Sequence, residues 1–136
     1  MRTLAYLALG SNLGDKEANI RQAVRLIEER VGSVERLSSL HATRPWGFRS
    51  DNMFVNAAVA VSTGMDPLRL LRATQDIERL MGRNVKSVNG IYHDRIIDID
   101  ILLYGDIEYH SPELTIPHPL MYERDFVMIP LREIMK

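Results

Sequence analysis

Residues 95–104 of the chain read Arg-Ile-Ile-Asp-Ile-Asp-Ile-Leu-Leu-Tyr, and they give the clearest strand pattern in the sequence. Side chains alternate between the two faces of a strand, so this stretch predicts one apolar face and one face that carries two carboxylates. The apolar face would be formed by Ile97, Ile99, Ile101 and Leu103, and the mixed face by Asp98, Asp100, Leu102 and Tyr104.

Outward from this strand, the hydrophobic periods predict two long helices and three longer strands. The helices would begin at the capping residues Asp15 and Asp66 and end before Gly32 and Gly82. The predicted strands are Thr3–Leu9, Val34–Ala42 and Phe54–Thr63. Two smaller elements are also expected, a strand at Ile107–Tyr109 that pairs with residues 95–104 and a terminal helix from Phe126 to Met135.

The order of these elements is βαββαβ, which predicts an α+β fold. We expect a ferredoxin-like α/β sandwich with a four-stranded antiparallel sheet and additional C-terminal elements. Two helices that each bury one stripe would share one sheet face, and the other face would be left free for ligands. Residues 1–136 are expected to form a single domain.

Composition excludes several classes of function. The formal net charge of −1 gives no overall attraction to nucleic acid or to an anionic membrane. The sequence contains no cysteine, which excludes disulfides, thiolate catalysis and cysteine-ligated zinc. No apolar run approaches the ~18 residues needed to span a membrane. We therefore expect a cytoplasmic monomer whose partners are small molecules.

Asp98 and Asp100 are the first candidates for chemistry. Residues i and i+2 of a strand point to the same face about 7 Å apart, where two carboxylates repel each other unless a cation neutralises them. Mg²⁺ accepts one or two carboxylates together with substrate phosphates, and two such ions would stabilise an in-line transfer. The alternative is that both are ordinary polar residues on the wet face of a half-exposed strand.

Basic residues flank this pair of carboxylates. Arg95 lies three residues before Asp98, and Arg83 and Lys86 lie in the preceding segment. Arginine binds phosphate with fixed, bidentate donors. Each of these residues alone would more often be solvated surface, but together they predict a site for phosphate and metal.

Other positions suggest binding of a flat heterocycle and a nucleotide. Phe54 and Asn56 share a strand face, which suits ring stacking beside a hydrogen-bonding amide, although a core Phe with a polar neighbour is the commoner arrangement. Trp46 lies in a predicted loop. Gln75 and Glu78, an i, i+3 pair on the second helix, could reach a nucleotide, and His118 lies between two prolines.

Considered together, these residues resemble 6-hydroxymethyl-7,8-dihydropterin pyrophosphokinase along nearly the whole chain. The Arg-x-x-Asp-x-Asp block followed by Pro-His-Pro is the most specific part of the resemblance. The other matching segments are Leu9–Gly14, Thr43–Gly47, Phe54–Val59 and Gln75–Arg83. Tyr92-His93-Asp94 departs from the Trp-Gly-Pro that is common in the family just before the Arg-x-x-Asp-x-Asp block. The loop after Arg83 is a little longer than is usual in the family.

The resemblance implies a role for each matching residue. Asp98 and Asp100 would hold two Mg²⁺ ions on the phosphates of ATP, and Arg83 and Arg95 would be catalytic. The implied ATP-binding residues are Gln75, Glu78, Lys86, Ile101, His118 and Arg124. The implied pterin-binding residues are Thr43, Trp46, Phe54, Asn56, Tyr92 and Phe126. The pterin hydroxymethyl oxygen would attack the β-phosphorus of ATP, and AMP would leave.

Two further expectations follow from the sequence. The segments Thr43–Asn52 and Arg83–Asp94 would act as lids that exclude water from the reaction. The alternatives to the pyrophosphokinase are a non-catalytic, ferredoxin-like small-ligand-binding domain and a different two-metal enzyme such as a phosphohydrolase. The first alternative leaves the aspartate pair and the basic cluster unexplained.

Overall fold

A computed structural model describes residues 1–43, 53–82 and 96–135 of the chain. Within these ranges the strands are β1 (Thr3–Ser11), β2 (Gly32–Leu37), β3 (His41–Thr43), β4 (Phe54–Thr63), β5 (Asp98–Tyr104), β6 (Tyr109–His110) and β7 (Thr115–Ile116). The helices are α1 (Lys16–Arg30), α2 (Pro67–Leu80) and α3 (Asp125–Ile134), with a short 3-10 helix at Met121–Glu123.

The main sheet is antiparallel and has the strand order β2-β4-β1-β5, with β3 also paired to β4. Since β2 and β3 follow one another along the same edge of β4, the order matches that of a ferredoxin-like sheet. The predicted fold class is therefore confirmed. The small strands β6 and β7 form a separate two-stranded sheet.

Both long helices begin as the sequence predicts. The Asp15 side chain accepts a hydrogen bond from the N–H of Ala18, and the Asp66 side chain accepts one from the N–H of Arg69. Such caps satisfy N–H groups that have no partner within the helix. Gly32 follows α1 directly, where an added Cβ would lie 2.1 Å from the Ser62 carbonyl oxygen, so the close approach of β2 to β4 requires a glycine.

The first sheet face is mostly apolar and packs against α1 and α2. Its strand residues alternate through β1, β4 and β5, and its helix residues include Ile20, Ile27 and Ile77. The members of this core from β1, β4 and β5 are Ala5, Leu7, Leu9, Ala57, Val59, Val61, Ile99 and Ile101, and Ile97 joins it from just before β5. Burial of this face against the two helices holds the sheet together.

The second sheet face is covered along part of its length, which corrects the expectation that it would be left free. Helix α3 packs on it through Val127, Leu131 and Ile134, which meet Ala58 and Leu102 in a second apolar core. The sequence predicts α3 but not its docking, because a stripe of apolar residues does not say which surface it covers. Among the described residues, Asn56, Gly10 and Asp98 mark an end of this face that lies outside the second apolar core.

The predicted strand Val34–Ala42 is instead two short strands, because Ser38 interrupts the backbone ladder. The Ser38 N–H donates to the Ala58 carbonyl, while the Ser38 hydroxyl accepts from the Ala58 N–H at 2.8 Å. A side chain thus replaces a backbone carbonyl at this point of the ladder. The chain then resumes pairing with β4 as β3.

Two expectations about the end of β5 are wrong. The register to β1 shifts between Tyr6 and Leu7, and this bulge moves Leu103 to the second face and Tyr104 to the first. Residues 107–109 do not pair with β5. Tyr109 pairs with Ile116 instead.

Among the residues that the structure describes, no helix is both long and apolar enough to span a membrane.

Candidate active site

A row of residues crosses the second sheet face at its open end. Asn56 on β4 lies opposite Gly10 on β1, and Gly10 lies opposite Asp98 on β5. Neighbouring strands are about 5 Å apart, so the backbones of Asn56 and Asp98 are separated by roughly 10 Å. Gly10 contributes no side chain, which leaves a floor between an amide and a carboxylate.

The next row along the strands carries the second carboxylate. Ala58, Ala8 and Asp100 lie side by side in it, and Asp100 shares a face with Asp98. Both aspartates are half-buried, whereas Ile99 between them is buried on the first face. The structure therefore brings the two carboxylates to one side, as the alternation predicts, next to the small residues Gly10 and Ala8.

This pair fits a Mg²⁺ site better than a cage made wholly of protein ligands. No group of three or more His, Cys, Asp or Glu side chains that could hold a metal occurs in residues 1–43, 53–82 and 96–135. Mg²⁺ is commonly held by one or two carboxylates, with phosphate and water oxygens completing the octahedron. Asp98 and Asp100 supply such a partial set of ligands, open toward a phosphorylated substrate.

Asn56 is buried, and its side chain has a fixed orientation. Its Nδ2 donates to the Thr43 hydroxyl at 2.6 Å, because β3 places Thr43 beside Phe54 at the sheet edge. The amide oxygen Oδ1 consequently points toward Gly10, where a Cβ would lie only 3.2 Å from it. The site thus offers a directed acceptor over a flat floor.

Two aromatic rings lie on the second sheet face. Ring atom Cδ1 of Phe54 lies 3.5 Å from the position of a Cβ at Gly10. Phe126, at the start of α3, packs against the second apolar core, and the guanidinium of Arg124 lies 5.7 Å from its ring centroid. A cation at that distance stabilises and orients the ring.

A cavity of about 290 Å³ lies along the outer edge of β5 and reaches Asp100. It is bounded by α2 on one side and by the segment before and after β7 on the other. Its lining residues are Leu71, Ile99, Asp100, Ile101, Ser111, Pro112, Glu113, Leu114, Thr115, His118 and Pro119. We call this cavity the groove. It places one of the two carboxylates, Asp100, beside partly apolar walls.

Backbone contacts fix His118 at the end of this groove. Its N–H donates to the Leu102 carbonyl at 3.0 Å, and its Nδ1 accepts from the N–H of Leu120 at 3.2 Å. The ring is held with a defined orientation at the cavity wall. Of the predicted nucleotide residues in the described ranges, Ile101 and His118 line the cavity, whereas Gln75, Glu78 and Arg124 do not.

Glu78 has a structural contact that its spacing did not reveal. It is only 4% exposed, and its carboxylate accepts a hydrogen bond from the N–H of Ile99 at 2.8 Å. Ile99 lies on the edge strand, where outward N–H groups have no neighbouring strand. Glu78 therefore fixes β5 directly beneath Asp98 and Asp100.

Several predicted site residues lie outside the described part of the chain: Trp46, Lys86, Tyr92, Arg83 and Arg95. The segments predicted to be lids also fall there, apart from Thr43. The structure thus brings together Thr43, Phe54 and Asn56 at one end of the row and Asp98 and Asp100 at the other.

Sequence reasoning assigned no role to Gly10 or to the groove wall at 111–115. The signal for Gly10 was its place at the end of a buried strand, where a glycine marks a close approach. The signal for the groove wall was weaker. The Ser111 hydroxyl accepts from the N–H groups of Glu113 and Leu114, a compact turn that only the structure places beside α2.

The family model described as 7,8-dihydro-6-hydroxymethylpterin-pyrophosphokinase (HPPK) matches residues 6–136. The chain belongs to this family. The HPPK match includes every described residue of the row, the carboxylate pair and the groove.

Curated HPPK relatives are similar over most of the chain. A 2-amino-4-hydroxy-6-hydroxymethyldihydropteridine pyrophosphokinase from Porphyromonas gingivalis is 48% identical over 132 residues, which cover 96% of this chain and 90% of the relative. The enzyme of the same name from Bacillus subtilis is 42% identical over 135 residues, which cover 98% of this chain and 79% of the relative.

Solved structures support the fold at much lower identity. The wild-type Plasmodium falciparum HPPK-DHPS with pteroate superimposes with a TM-score of 0.77 at 19% identity. The match covers 97% of this chain and 38% of that longer one. This likeness supports the ferredoxin-like fold of the present chain.

Proposed function

We propose that this chain transfers the pyrophosphoryl group of ATP to the hydroxymethyl oxygen of 6-hydroxymethyl-7,8-dihydropterin, with release of AMP, in folate biosynthesis. The observation that carries the proposal is the row Asn56–Gly10–Asp98. It sets a directed amide and a carboxylate on opposite sides of a floor without side chains. A flat bicyclic ring fits that floor, with its hydroxymethyl group turned toward the carboxylates.

The pterin end of the site would be the pterin slot, which we define by Thr43, Phe54, Asn56 and Phe126 over Gly10. The Asn56 Oδ1 would accept a hydrogen bond from an N–H on the edge of the pterin, because Nδ2 already donates to Thr43. The rings of Phe54 and Phe126 would pack against the two faces of the heterocycle. A site built to pair with the ring edge rejects analogues that lack those donors.

At the other end, Asp98 and Asp100 would hold Mg²⁺, which supplies positive charge to offset that of the phosphates and of the transition state. The hydroxymethyl oxygen would form a bond to the β-phosphorus as the bond from that phosphorus to the α–β bridging oxygen breaks. AMP takes that oxygen, and the hydroxymethyl proton passes to solvent or to a nearby base. Positioning and charge carry such a transfer, with no covalent enzyme intermediate.

The nucleotide would occupy the groove along β5. Asp100 belongs both to the carboxylate pair and to the groove wall, so a triphosphate at the carboxylates places its base among Leu71, Ile101 and His118. Apolar walls with a few oriented polar groups are typical of such sites. Gln75, Glu78 and Arg124 are predicted to act around this groove. Arg83, Lys86 and Arg95 are predicted to bind the phosphates, and Trp46 and Tyr92 to close over the pterin; these five residues lie outside the described ranges.

The proposal also covers the number of metal ions, the extent of the catalytic unit, the oligomeric state and the location. We propose two Mg²⁺ ions, because a pair of ions held by Asp98 and Asp100 would stabilise both the attacking and the leaving oxygen of an in-line transfer. We also propose one catalytic unit over residues 1–136, a monomer, and a cytoplasmic location where ATP and Mg²⁺ are available.

The nucleotide products test the proposed reaction. The protein is incubated with ATP, Mg²⁺ and the reduced pterin, and nucleotides are separated by chromatography. One AMP per pterin pyrophosphate is the expected result. ADP as the product would indicate an ordinary kinase, and nucleotide release that needs no pterin would indicate a phosphohydrolase; either contradicts the proposal.

A further inference from the structure

A carboxylate near the end of α3 holds that helix to the segment between β2 and β3. Glu133 accepts hydrogen bonds from the Ser39 N–H at 2.8 Å and from the Ser39 hydroxyl at 2.5 Å, and it also pairs with Nε2 of His41. Beside it, a guanidinium N–H of Arg36 donates to the Ile134 carbonyl at 3.3 Å. We call Ser39, His41 and Glu133 the clasp.

The clasp lies next to the pterin slot on the β3 side. His41 pairs with Asn56, and Thr43, which fixes the Asn56 amide, is two residues further along the same strand. At the other end of the helix, Phe126 is seven residues before Glu133, about 10 Å along the axis. One helix therefore carries Phe126 at its first turn and Glu133, a member of the clasp, at its last turn.

Apolar contacts alone do not determine this arrangement. Val127, Leu131 and Ile134 dock α3 onto the sheet, and such burial is favourable but not directional. Hydrogen bonds to a carboxylate are short and geometrically specific, so they fix the rotation and the axial position of the helix. A change in either would move Phe126 relative to Phe54.

We propose that Glu133 is a positioning residue for the pterin: through the clasp it fixes β3 against α3 and thereby sets the gap between the two walls of the pterin slot. The inference rests on the proposed function, because it assumes that the pterin lies in that slot. Glu133 touches neither substrate in this account. Its effect should therefore appear in pterin affinity and not in the groove along β5, which is built from other elements.

The protonation state of Glu133 keeps the test simple. Hydrogen bonds from the Ser39 hydroxyl and N–H, followed by the bond from His41, lower the pKa of Glu133 to about 2. Its carboxylate is therefore charged throughout the pH range of an activity assay. The variants can be compared at one pH without a change in the state of this group.

Steady-state kinetics and equilibrium binding on three variants test the inference. We expect Glu133→Ala to raise the KM for the pterin about tenfold, because a small displacement of a substrate wall has effects of this order. Glu133→Gln keeps an acceptor oxygen for Ser39, so it should recover part of the affinity. Ser39→Ala removes one donor and should give an intermediate increase. The KM for ATP and kcat should change less than about twofold in all three.

Glu29→Ala is the matched control, since it removes an exposed carboxylate from α1 on the opposite side of the sheet. It should leave both KM values unchanged. Pterin binding in the presence of a non-hydrolysable ATP analogue should weaken in parallel with KM, which separates positioning from a loss of folded enzyme. A fall in kcat with unchanged KM would be a loss of folded enzyme and would overturn the inference.

Two other results would be equally decisive. Equal increases in the KM values for ATP and pterin would contradict the assignment to the pterin wall. Wild-type protein that turns over ATP with pterin, together with Glu133→Ala of unchanged KM, would overturn the clasp alone. A wild-type protein that releases no AMP and binds no pterin would overturn the proposed function and, with it, this inference.

Discussion

Two halves of the second sheet face can be compared strand by strand, because β4, β1 and β5 run through both. Beneath α3 the face presents Ala58, Ala60 and Leu102, all buried in the second apolar core. Beyond α3 it presents Asn56, Gly10 and Asp98. The face changes from apolar to polar within two residues along β4 and β5, from Ala58 to Asn56 and from Leu102 to Asp100.

This contrast indicates how one sheet serves packing and chemistry together. The first face is apolar along most of its length, and its packing against α1 and α2 specifies the register of the strands. The end of the second face can then carry carboxylates that would cost stability in a core. The buried half should accordingly respond to substitution in stability, and the open half in activity.

The largest effect is expected at the carboxylate pair. Asp98→Asn and Asp100→Asn each remove a charge from the predicted Mg²⁺ site, and kcat/KM should fall about a thousandfold or more. The fold should persist, because both side chains are half-buried at an open end. Steady-state assays with circular dichroism check this. Asp106→Asn, on an exposed turn, is the control, and near wild-type activity in Asp98→Asn would remove the metal role.

The buried half should behave in the opposite way. Leu102→Ala deletes a fully buried side chain next to Asp100 on the same face, and it should lower the free energy of unfolding by about 2–5 kcal/mol. The KM values of the folded fraction should stay close to wild type. Denaturant titration and kinetics on the same preparation measure both. A thousandfold activity loss with unchanged stability at this position would break the comparison.

A smaller effect is expected at the floor of the row. Gly10→Ala would place a Cβ 3.2 Å from Asn56 Oδ1 and 3.5 Å from Phe54 Cδ1, in the space predicted for the pterin. We expect the KM for the pterin to rise about tenfold. Gly64→Ala is the matched control, because a Cβ there meets nothing within 4 Å. Equal pterin affinity in the two variants would contradict the position of the slot.

The smallest effect concerns acid stability at the clasp. The pKa of Glu133 is lowered from 4.5 to about 2, so the clasp stabilises the folded state above pH 4.5, and this contribution is lost as the pH falls toward 2. Glu133→Gln should be less stable than wild type at about pH 6, and the difference should shrink at about pH 3. Denaturant unfolding at both pH values measures it. A difference that does not depend on pH would contradict this view of the clasp.

Much of this arrangement could be predicted from local pattern. The strand Phe54–Thr63 and the caps of α1 and α2 are set by alternation and by Asp side chains, which act within a few residues. Asp98 and Asp100 share a face for the same reason. The resemblance to pyrophosphokinases then predicted a set of pterin-binding residues, and two of these, Thr43 and Asn56, are in direct contact with each other.

What could not be predicted depends on contacts between distant parts of the chain. The bulge at Leu102 follows from the pairing of β5 with β1, and the break at Ser38 follows from a hydroxyl that meets β4. The docking of α3 brings Leu131 to Ala58 and Leu102 on the second face, and the link from Glu133 to His41 joins residues 92 positions apart. The periodicity of hydrophobic residues predicts that a face is buried, but it does not identify the element that packs against it.

The proposed reaction depends on where the two substrates lie. A crystal structure with Mg²⁺, a non-hydrolysable ATP analogue and the pterin would locate them. We predict Mg²⁺ between the Asp98 and Asp100 carboxylates and the phosphates, the base in the groove at His118, and the pterin over Gly10 with its edge on Asn56. Metal bound away from both aspartates, or a pterin bound anywhere other than over Gly10, would contradict it.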